Sequence, residues 1–243
     1  MSERLRLATL ASGSGTTSAE IIKSSLNGSV PIDIGCVVAS NPDAGVIQKA
    51  LALGISPQDI AIVNPNDFRG SDGIDQEGFG LALLMELQKH GIDAVTQNGW
   101  LPLTPPIVID YFTETIFNQH PGPLPEFGGK GMYGRRVHAA RLLFARMTKR
   151  DYWTEAVGQR AHYEYDKGAV VKAERIEIFP SDTVDSLQER LLPAEHRVQI
   201  ELLQDLITDN LQEFSTHDPL IHRGDEDLLR FSQRVARLLY PHG

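Results

Sequence analysis

Short apolar runs alternate with amphipathic segments over residues 1–118, and this alternation limits the possible folds more than any other feature. The apolar runs read as strands because they are short and nearly continuous: RLRLATLA, IDIGCVVAS, IAIV, DAVTQNG and ETIFN. The segments SAEIIKSSL and QEGFGLALLMELQKHG, which lie between these runs, have the spacing of helices. Strands without polar alternation are typical of parallel sheets whose two faces are both covered. The pattern therefore predicts an α/β fold with a Rossmann-like, doubly wound, mostly parallel sheet.

The pattern changes after residue 118, where RRVHAARLLFARM is an amphipathic helical segment. The runs AVGQRAHYEY and AVVKAERIEIF are separated only by DKG, which predicts a C-terminal antiparallel hairpin. TVDSLQERLLPAEHRVQIELLQDLI reads as a helix that we expect Pro193 to kink or break. DEDLLRFSQRVARLL predicts a last amphipathic helix that packs on the domain or on a neighbouring subunit, which leaves a homodimer open.

Charge and cysteine content exclude several classes of partner. The chain of 243 residues carries a net charge of −9 and has no run of Lys or Arg longer than two. A nucleic-acid-binding protein needs a basic face, so we expect no nucleic-acid partner. No apolar run reaches 18 residues, and charges interrupt the N-terminus, so we expect neither a membrane span nor a signal peptide. The lone Cys36 lies in an apolar run and fits a core position in a reducing compartment, which favours a cytoplasmic protein.

A glycine loop, SGSGTT, joins the first predicted strand to the first predicted helix. Gly13 and Gly15 leave bare backbone at this junction, where N–H groups and the helix dipole attract anions. Ser14, Thr16 and Thr17 add hydroxyl groups, and one of the two threonines is a candidate helix cap. The loop is therefore a candidate phosphate site.

The ligand of this loop stays open at the level of the residues. The loop lacks the GxxxxGK[ST] pattern, and Ser18 replaces the third glycine of GxGxxG. The second predicted strand also ends without a carboxylate before Asp43, whereas dinucleotide sites place an acidic residue there. These departures favour a monophosphate over a dinucleotide, and a tight turn that binds nothing remains an alternative.

The stretch FNQHPGPLPEFGGKGMYG places an amide and an imidazole where a buried strand ends. Asn118 and His120 are two positions apart, so they point to the same side of an extended strand. Such a pair can stabilise an oxyanion during attack on a carbonyl group. Asp166, near the predicted hairpin turn, is a candidate to orient His120 or to accept a proton. Turn-building roles for His120 and Asp166 are the structural alternative.

The chain offers no obvious nucleophile or metal site. It contains no GxSxG, and its eight histidines include neither HExxH nor a compact ligand cluster. We therefore expect no metal, and direct transfer between two bound substrates is favoured over a covalent intermediate.

The chain resembles the phosphoribosylglycinamide formyltransferase family through four motifs in the family's order, over roughly residues 5–212. The family has an SGxGSN loop, an NxHPSLLP segment, an HxxxDELDGGPV hairpin and a QEH triplet. The corresponding residues here are Ser12–Thr17, Asn118–Pro125, His162–Val170 and Ala194-Glu195-His196. The resemblance implies the formyltransferase fold and transfer of a formyl group from 10-formyltetrahydrofolate to glycinamide ribonucleotide in purine biosynthesis.

The resemblance also implies roles for individual residues. Asn118, His120 and Asp166 would be catalytic. The implied ribonucleotide-binding residues are Gly13, Ser14, Gly15, Thr16, Gly99 and Glu195, with Glu195 on the ribose hydroxyls. The implied residues of the pterin pocket are Trp100, Leu101 and Leu103. By the same comparison, residues 1–118 would form a phosphate-binding half, residues 119–212 a folate-binding and catalytic half, and residues 213–243 a tail outside the resemblance.

Three departures from the family pattern keep alternatives open. Thr17 replaces an asparagine, EFGGKGMYG replaces a YPG-type run, and His162 lies about three residues closer to Asp166 than in the common pattern, with Glu164 as a substitute carboxylate. A formyltetrahydrofolate deformylase, expected to carry an extra N-terminal domain, is one alternative. A catalytically inactive folate- or nucleotide-binding relative is another. A methionyl-tRNA formyltransferase is disfavoured because it would need a C-terminal RNA-binding domain.

Overall fold

The computed structural model describes residues 4–215 and 218–243, and these residues form two compact units. The first unit contains the described residues up to Asn118, together with Arg160–Tyr163 and Leu203–Asn210. The second unit contains Gln119–Gln159, Glu164–Leu202 and the described residues from Leu211 onward.

A parallel sheet organises the first unit. Its strands are β1 (Leu5–Ala11), β2 (Ile32–Ala39), β3 (Ile60–Ile62), β6 (Ala94–Gln97) and β7 (Ile116–His120), the last of which runs into the second unit. They lie in the order β3-β2-β1-β6-β7, and every neighbouring pair is parallel. The order reverses direction at β1, as the doubly wound prediction requires. A separate two-stranded ribbon pairs β4 (Arg69–Gly70) with β5 (Gly73–Ile74).

The helices of the first unit follow the predicted segments. They are α1 (Thr16–Leu26), α2 (Gly45–Ala52), α3 (Gln76–Lys89) and α4 (Pro106–Phe112). Strands β1 and β2 are almost fully buried, which explains their continuous apolar sequences. Cys36 is one of the residues with 0% exposure, and burial raises the pKa of its thiol to about 12. The expectation of a core cysteine is confirmed.

The second unit carries the antiparallel pair. Its elements are α5 (Arg135–Thr148), β8 (Trp153–Arg160), β9 (Val170–Glu177), α6 (Val184–Ile207) and α7 (Glu226–Leu239); α6 belongs to this unit as far as Leu202. Strands β8 and β9 pair antiparallel, so the predicted hairpin is confirmed. Its predicted extent was wrong, because β8 ends at Arg160 and residues 161–169 form a loop rather than the three-residue turn DKG.

Helix α6 runs unbroken through Pro193, contrary to the expected break. Leu191 and Ala194, on either side of the proline, are fully buried against Ala156 of β8 and against Val198. This burial stabilises a continuous helix, and tertiary packing of this kind outweighs the low helix propensity of proline.

The last helix packs inside the second unit. Helix α7 lies against α5, and both contribute to one apolar cluster that includes Phe127, Phe144 and Ala236. Two side chains of α7 also hold the loop of residues 121–134: Gln233 donates to the carbonyl of Glu126 at 2.9 Å, and Arg237 donates to that of Lys130 at 3.3 Å. No helix in the described part of the chain is both long and apolar enough to cross a membrane.

Candidate active site

A buried histidine–aspartate pair is the centre of the second unit. His120 Nδ1 lies 3.4 Å from Asp166 Oδ1, and the two side chains are only 3% and 8% exposed. His120 is the last residue of β7, and Asp166 lies in the 161–169 loop with a left-handed backbone φ of 56°. A non-glycine residue rarely adopts this conformation outside constrained sites. The structure thus brings together two residues that the sequence could not place side by side.

Two further donors fix the carboxylate of Asp166. The backbone N–H of Gly129 donates to Oδ2 at 2.8 Å, and Nε2 of Gln159 donates to Oδ1 at 2.9 Å. Burial by itself raises the pKa of Asp166, but the charge of His120 and the hydrogen bonds from His120, Gly129 and Gln159 outweigh it. The net pKa lies below its usual value, so the carboxylate is ionised at neutral pH.

The contacts of His120 define where its protons lie. Its Nε2 is 3.1 Å from the carbonyl oxygen of Phe127, and a carbonyl oxygen can only accept, so Nε2 carries a hydrogen. Nδ1 faces the ionised Asp166, and that approach is favourable when Nδ1 also carries a proton. Opening of the bond to Phe127 would free Nε2–H for a substrate oxygen.

Glycine content in the loop of residues 121–134 allows this close packing. A Cβ on Gly128 would lie 2.5 Å from Leu124 Cδ2 and 2.7 Å from Asp166 Cβ. A Cβ on Gly122 would lie 2.4 Å from Val137 Cγ1. The bare backbone thus lets this loop approach Asp166 closely enough for the Gly129 N–H to reach it.

A second buried carboxyl group lies near His120. Glu195 on α6 is 8% exposed, and its Oε2 accepts a hydrogen bond from Nε2 of Gln119 at 2.8 Å. Burial raises the pKa of Glu195 to about 7, although the charge of His120 and the bond from Gln119 act in the opposite direction. Glu195 therefore changes its charge near neutral pH.

His138 on α5 is a structural histidine. It is 1% exposed, and burial together with the charge of His120 lowers its pKa to about 3. It is neutral at physiological pH and does not compete with His120 for a proton.

The glycine loop of the first unit has the conformation of a strand-to-helix junction. Gly15 is the N-cap of α1 with a φ of 65°, and a Cβ there would lie 2.4 Å from Val46 Cβ. The expected threonine cap is wrong, because α1 has no side-chain cap and Thr16 and Thr17 begin the helix itself. Gly13 and Ser14 are exposed at the helix start, where backbone N–H groups lack intrahelical acceptors. This arrangement suits an anion.

Ser12 and Lys49 tie this loop to its surroundings. The Ser12 backbone N–H donates to the carbonyl of Gly99 at 2.9 Å, and its hydroxyl oxygen accepts from the Leu101 backbone N–H at 2.9 Å. Lys49 of α2 donates through Nζ to the carbonyl of Ser14 at 2.7 Å. The loop, the segment that follows β6 and a cation are therefore fixed together within this unit.

The remaining predicted site residues differ in exposure. Trp100 is 6% exposed and stacks on Phe79 at 6.4 Å between ring centroids, so its indole is part of the core, whereas Leu101 is 44% exposed and Leu103 is partly buried. Glu164 is exposed, unlike the buried side chain of Asp166. Among residues 4–215 and 218–243, no three His, Cys, Asp or Glu side chains cluster as a metal site.

Sequence reasoning missed Gln159, Gln119 and Lys49. One signal was present for Gln159: the pattern HxxxDELD puts its histidine seven positions before the last aspartate, and Gln159 stands seven positions before Asp166 (166 − 159). The histidine of the family pattern therefore corresponds to Gln159 in this chain, and not to His162. Gln119 and Lys49 had no motif to mark them.

Comparisons with known proteins identify relatives of this chain. Residues 5–203 match the family described as Formyl transferase. The chloroplastic phosphoribosylglycinamide formyltransferase of Arabidopsis thaliana is 31% identical over 90% of this chain and 70% of that protein.

Two solved structures share the fold. Glycinamide ribonucleotide transformylase 1 from Symbiobacterium toebii is 24% identical, with a TM-score of 0.72 over 86% of this chain and 90% of that one. A formyltetrahydrofolate deformylase from Pseudomonas syringae is 14% identical, with a TM-score of 0.69 over 86% of this chain and 63% of that one. The family match covers most of the chain and includes the histidine, the aspartate and the glycine loop, and the protein therefore belongs to the formyl transferase family.

Proposed function

We propose that the protein is a phosphoribosylglycinamide formyltransferase, which transfers the formyl group of 10-formyltetrahydrofolate to the amine of glycinamide ribonucleotide. The observation that carries this proposal is the buried pair of His120 and Asp166, 3.4 Å apart, with the carboxylate held by two donors. Relatives named for this activity, which cover most of this chain, support the same reaction.

The chemistry is a direct transfer. The substrate amine attacks the formyl carbon and forms a C–N bond, while the carbonyl oxygen gains negative charge. Asn118 and His120 donate hydrogen bonds to that oxygen, a contribution worth about 2.7–4 kcal/mol for each donor. The ionised Asp166 accepts the proton released by the amine, directly or through water. When the tetrahedral intermediate collapses, the bond from carbon to N10 of the folate breaks, and N10 takes up the proton that Asp166 accepted.

Substrate positions follow from the two sets of residues. The proposed ribonucleotide-binding residues are Gly13, Ser14, Gly15, Thr16, Gly99 and Glu195, to which we add Lys49. An exposed glycine loop, the N-terminus of an eleven-residue helix and the ammonium group of Lys49 support a phosphate ligand. Trp100, Leu101 and Leu103 are proposed to border the folate, with Trp100 acting through its backbone because its ring is buried.

Several finer assignments belong to the same proposal. We propose that residues 1–118 bind the ribonucleotide, that residues 119–212 carry the folate-binding and catalytic residues, and that residues 213–243 form a tail. The acidic charge and the buried lone cysteine support a cytoplasmic protein without a nucleic-acid partner. A homodimer stays a prediction.

The deformylase remains the second candidate, because one structure with this fold is a formyltetrahydrofolate deformylase. Absorbance-monitored deformylation of 10-formyltetrahydrofolate, with and without glycinamide ribonucleotide, separates the two activities. Turnover that requires the ribonucleotide and disappears in His120→Ala supports the transferase. Turnover without the ribonucleotide supports the deformylase, and absence of turnover in both reactions supports a binding-only protein.

A further inference from the structure

Gln159 bonds to the carboxylate of Asp166 but takes no part in the reaction steps given above. It lies on β8 one position before the strand ends, and it is 1% exposed. Its Nε2 donates at 2.9 Å to Asp166 Oδ1, the same oxygen that lies 3.4 Å from His120 Nδ1. One amide side chain thus sets the position of the oxygen that faces the catalytic histidine.

The oxygen atom of the same amide lowers the stability of the folded protein. Gln159 Oε1 is buried and has no hydrogen-bond partner among the described residues. A buried amide oxygen without a donor destabilises a protein, and an apolar side chain of similar size would avoid that cost. Only Nε2 can face a carboxylate, so the contact with Asp166 fixes the orientation of the amide.

We propose that Gln159 is a positioning residue that holds Asp166 ionised and aimed at His120, through an amide that itself never titrates. The proposal deepens the proposed function and rests on it for its kinetic part. The Gly129 N–H holds Oδ2 from the loop of residues 121–134, and Gln159 holds Oδ1 from the strand. The two donors together fix the plane of the carboxylate, because each oxygen has its own partner.

The titratable groups near the pair come from α6, from α5 and from the loop that carries Asp166. His120 comes from β7 and contacts Asp166 directly, and its charge acts to lower the pKa of Glu195 on α6 and of His138 on α5. Glu164 and Lys167 flank Asp166 in its own loop and are exposed. Gln159 adds a hydrogen bond without adding another titrating group.

The test compares Gln159→Leu, Gln159→His and Gln159→Glu with the control Gln199→Leu. Gln199 of α6 is also a buried glutamine, with 0% exposure and an amide that bonds to nothing in the described ranges. For Gln159→Leu we expect kcat to fall about 10- to 100-fold, with little change in KM, because a hydrogen bond to a charged group is lost. The acidic limb of the pH profile should move to higher pH.

The two polar variants distinguish the loss of the hydrogen bond from a folding defect. Gln159→His restores a donor nitrogen and should recover most of kcat while adding a new inflection near the usual histidine pKa of about 6.5. Gln159→Glu places a second carboxyl group beside Asp166 and should be at least as impaired as Gln159→Leu at neutral pH. Gln199→Leu should keep the wild-type kcat and pH profile.

A second readout does not depend on turnover. Carbon-13 NMR of the Asp166 carboxyl follows its titration in the free protein, and it should shift to higher pH in Gln159→Leu but not in Gln199→Leu. An unchanged titration of Asp166 in folded Gln159→Leu would overturn the proposal. Failure of wild type to transfer the formyl group would count against the proposed function alone, because the NMR comparison still decides the role of Gln159.

Discussion

Gly128→Ala should reduce activity through a single added methyl group. The methyl carbon would lie 2.7 Å from Asp166 Cβ and 2.5 Å from Leu124 Cδ2, both well inside ordinary contact distance, which begins at 3.4 Å. Leu124 can rotate the end of its side chain, but Asp166 Cβ is fixed by the backbone. The loop and Asp166 must therefore separate by about 0.7 Å, the difference between the built and the ordinary distance.

That separation acts on the hydrogen bond that holds the carboxylate. If it is taken up along the bond, the distance from Gly129 N to Asp166 Oδ2 grows from 2.8 Å to about 3.5 Å, beyond a normal hydrogen bond. Misplacement of a catalytic group by about 1 Å costs roughly 100-fold in rate. Overpacking of this kind destabilises a fold by about 1–3 kcal/mol. We expect kcat to fall about 30- to 100-fold and the protein to remain folded.

Steady-state kinetics and thermal unfolding of Gly128→Ala test this reasoning. The matched control is Gly70→Ala, where the nearest atom to the new Cβ would be 3.9 Å away. The control should change neither kcat nor Tm by more than a small amount. A Gly128→Ala variant with kcat within twofold of wild type would refute the argument that bare backbone at residue 128 positions Asp166.

Three other predictions concern Asp166, Lys49 and Glu195. Asp166→Asn keeps the shape but not the charge, so kcat should drop about 100-fold or more in the coupled assay while both KM values change little; retention of a tenth of the activity would contradict a proton-accepting role. Lys49→Met should raise KM for glycinamide ribonucleotide about tenfold and leave KM for the folate unchanged, because one charged contact to phosphate is lost; equal effects on both substrates would argue against it. The pKa of Glu195 is raised from 4.5 to about 7, so its unfolded form ionises first and stability is lost as pH rises through this window. Between pH 4 and pH 8, the free energy of unfolding of Glu195→Gln should therefore rise by about 3 kcal/mol relative to that of wild type, as measured in urea melts. A difference between the two proteins that does not change with pH would show that burial does not raise the pKa of this carboxyl group.

The fold could be predicted because parallel strands leave a strong pattern in the sequence. Strands buried on both faces must be apolar at nearly every position, and each must be followed by a helix long enough to cross the sheet. Strands β1 and β2 obey both constraints, and the strands of the parallel sheet lie within a residue or two of the expected positions. The ends of β8 could not be predicted in this way, because residues 161–165 keep a β-like composition but leave the strand to form the loop that carries Asp166.

The site was only partly visible in the sequence. His120 and Asp166 could be selected from their chemistry and from a motif, but their 3.4 Å approach depends on the fold, and their role remains a prediction. Gln119 and Gln159 escaped notice because an amide on a strand is chemically ordinary until its partner is known. The missing threonine cap has a similar origin, since Val46, a residue far from Gly15 in the chain, occupies the space that a Cβ at the N-cap position would need.

The attachment of α7 to the loop of residues 121–134 has a consequence for the protein's evolution. Residues 226–239 lie outside the family match of 5–203, yet Gln233 and Arg237 hold the carbonyls of Glu126 and Lys130. That loop supplies the Gly129 N–H to Asp166 and the Phe127 carbonyl to His120. We expect relatives that have α7 to keep the sequence of this loop. Relatives without α7 should have a different loop, so that the two segments change together in evolution.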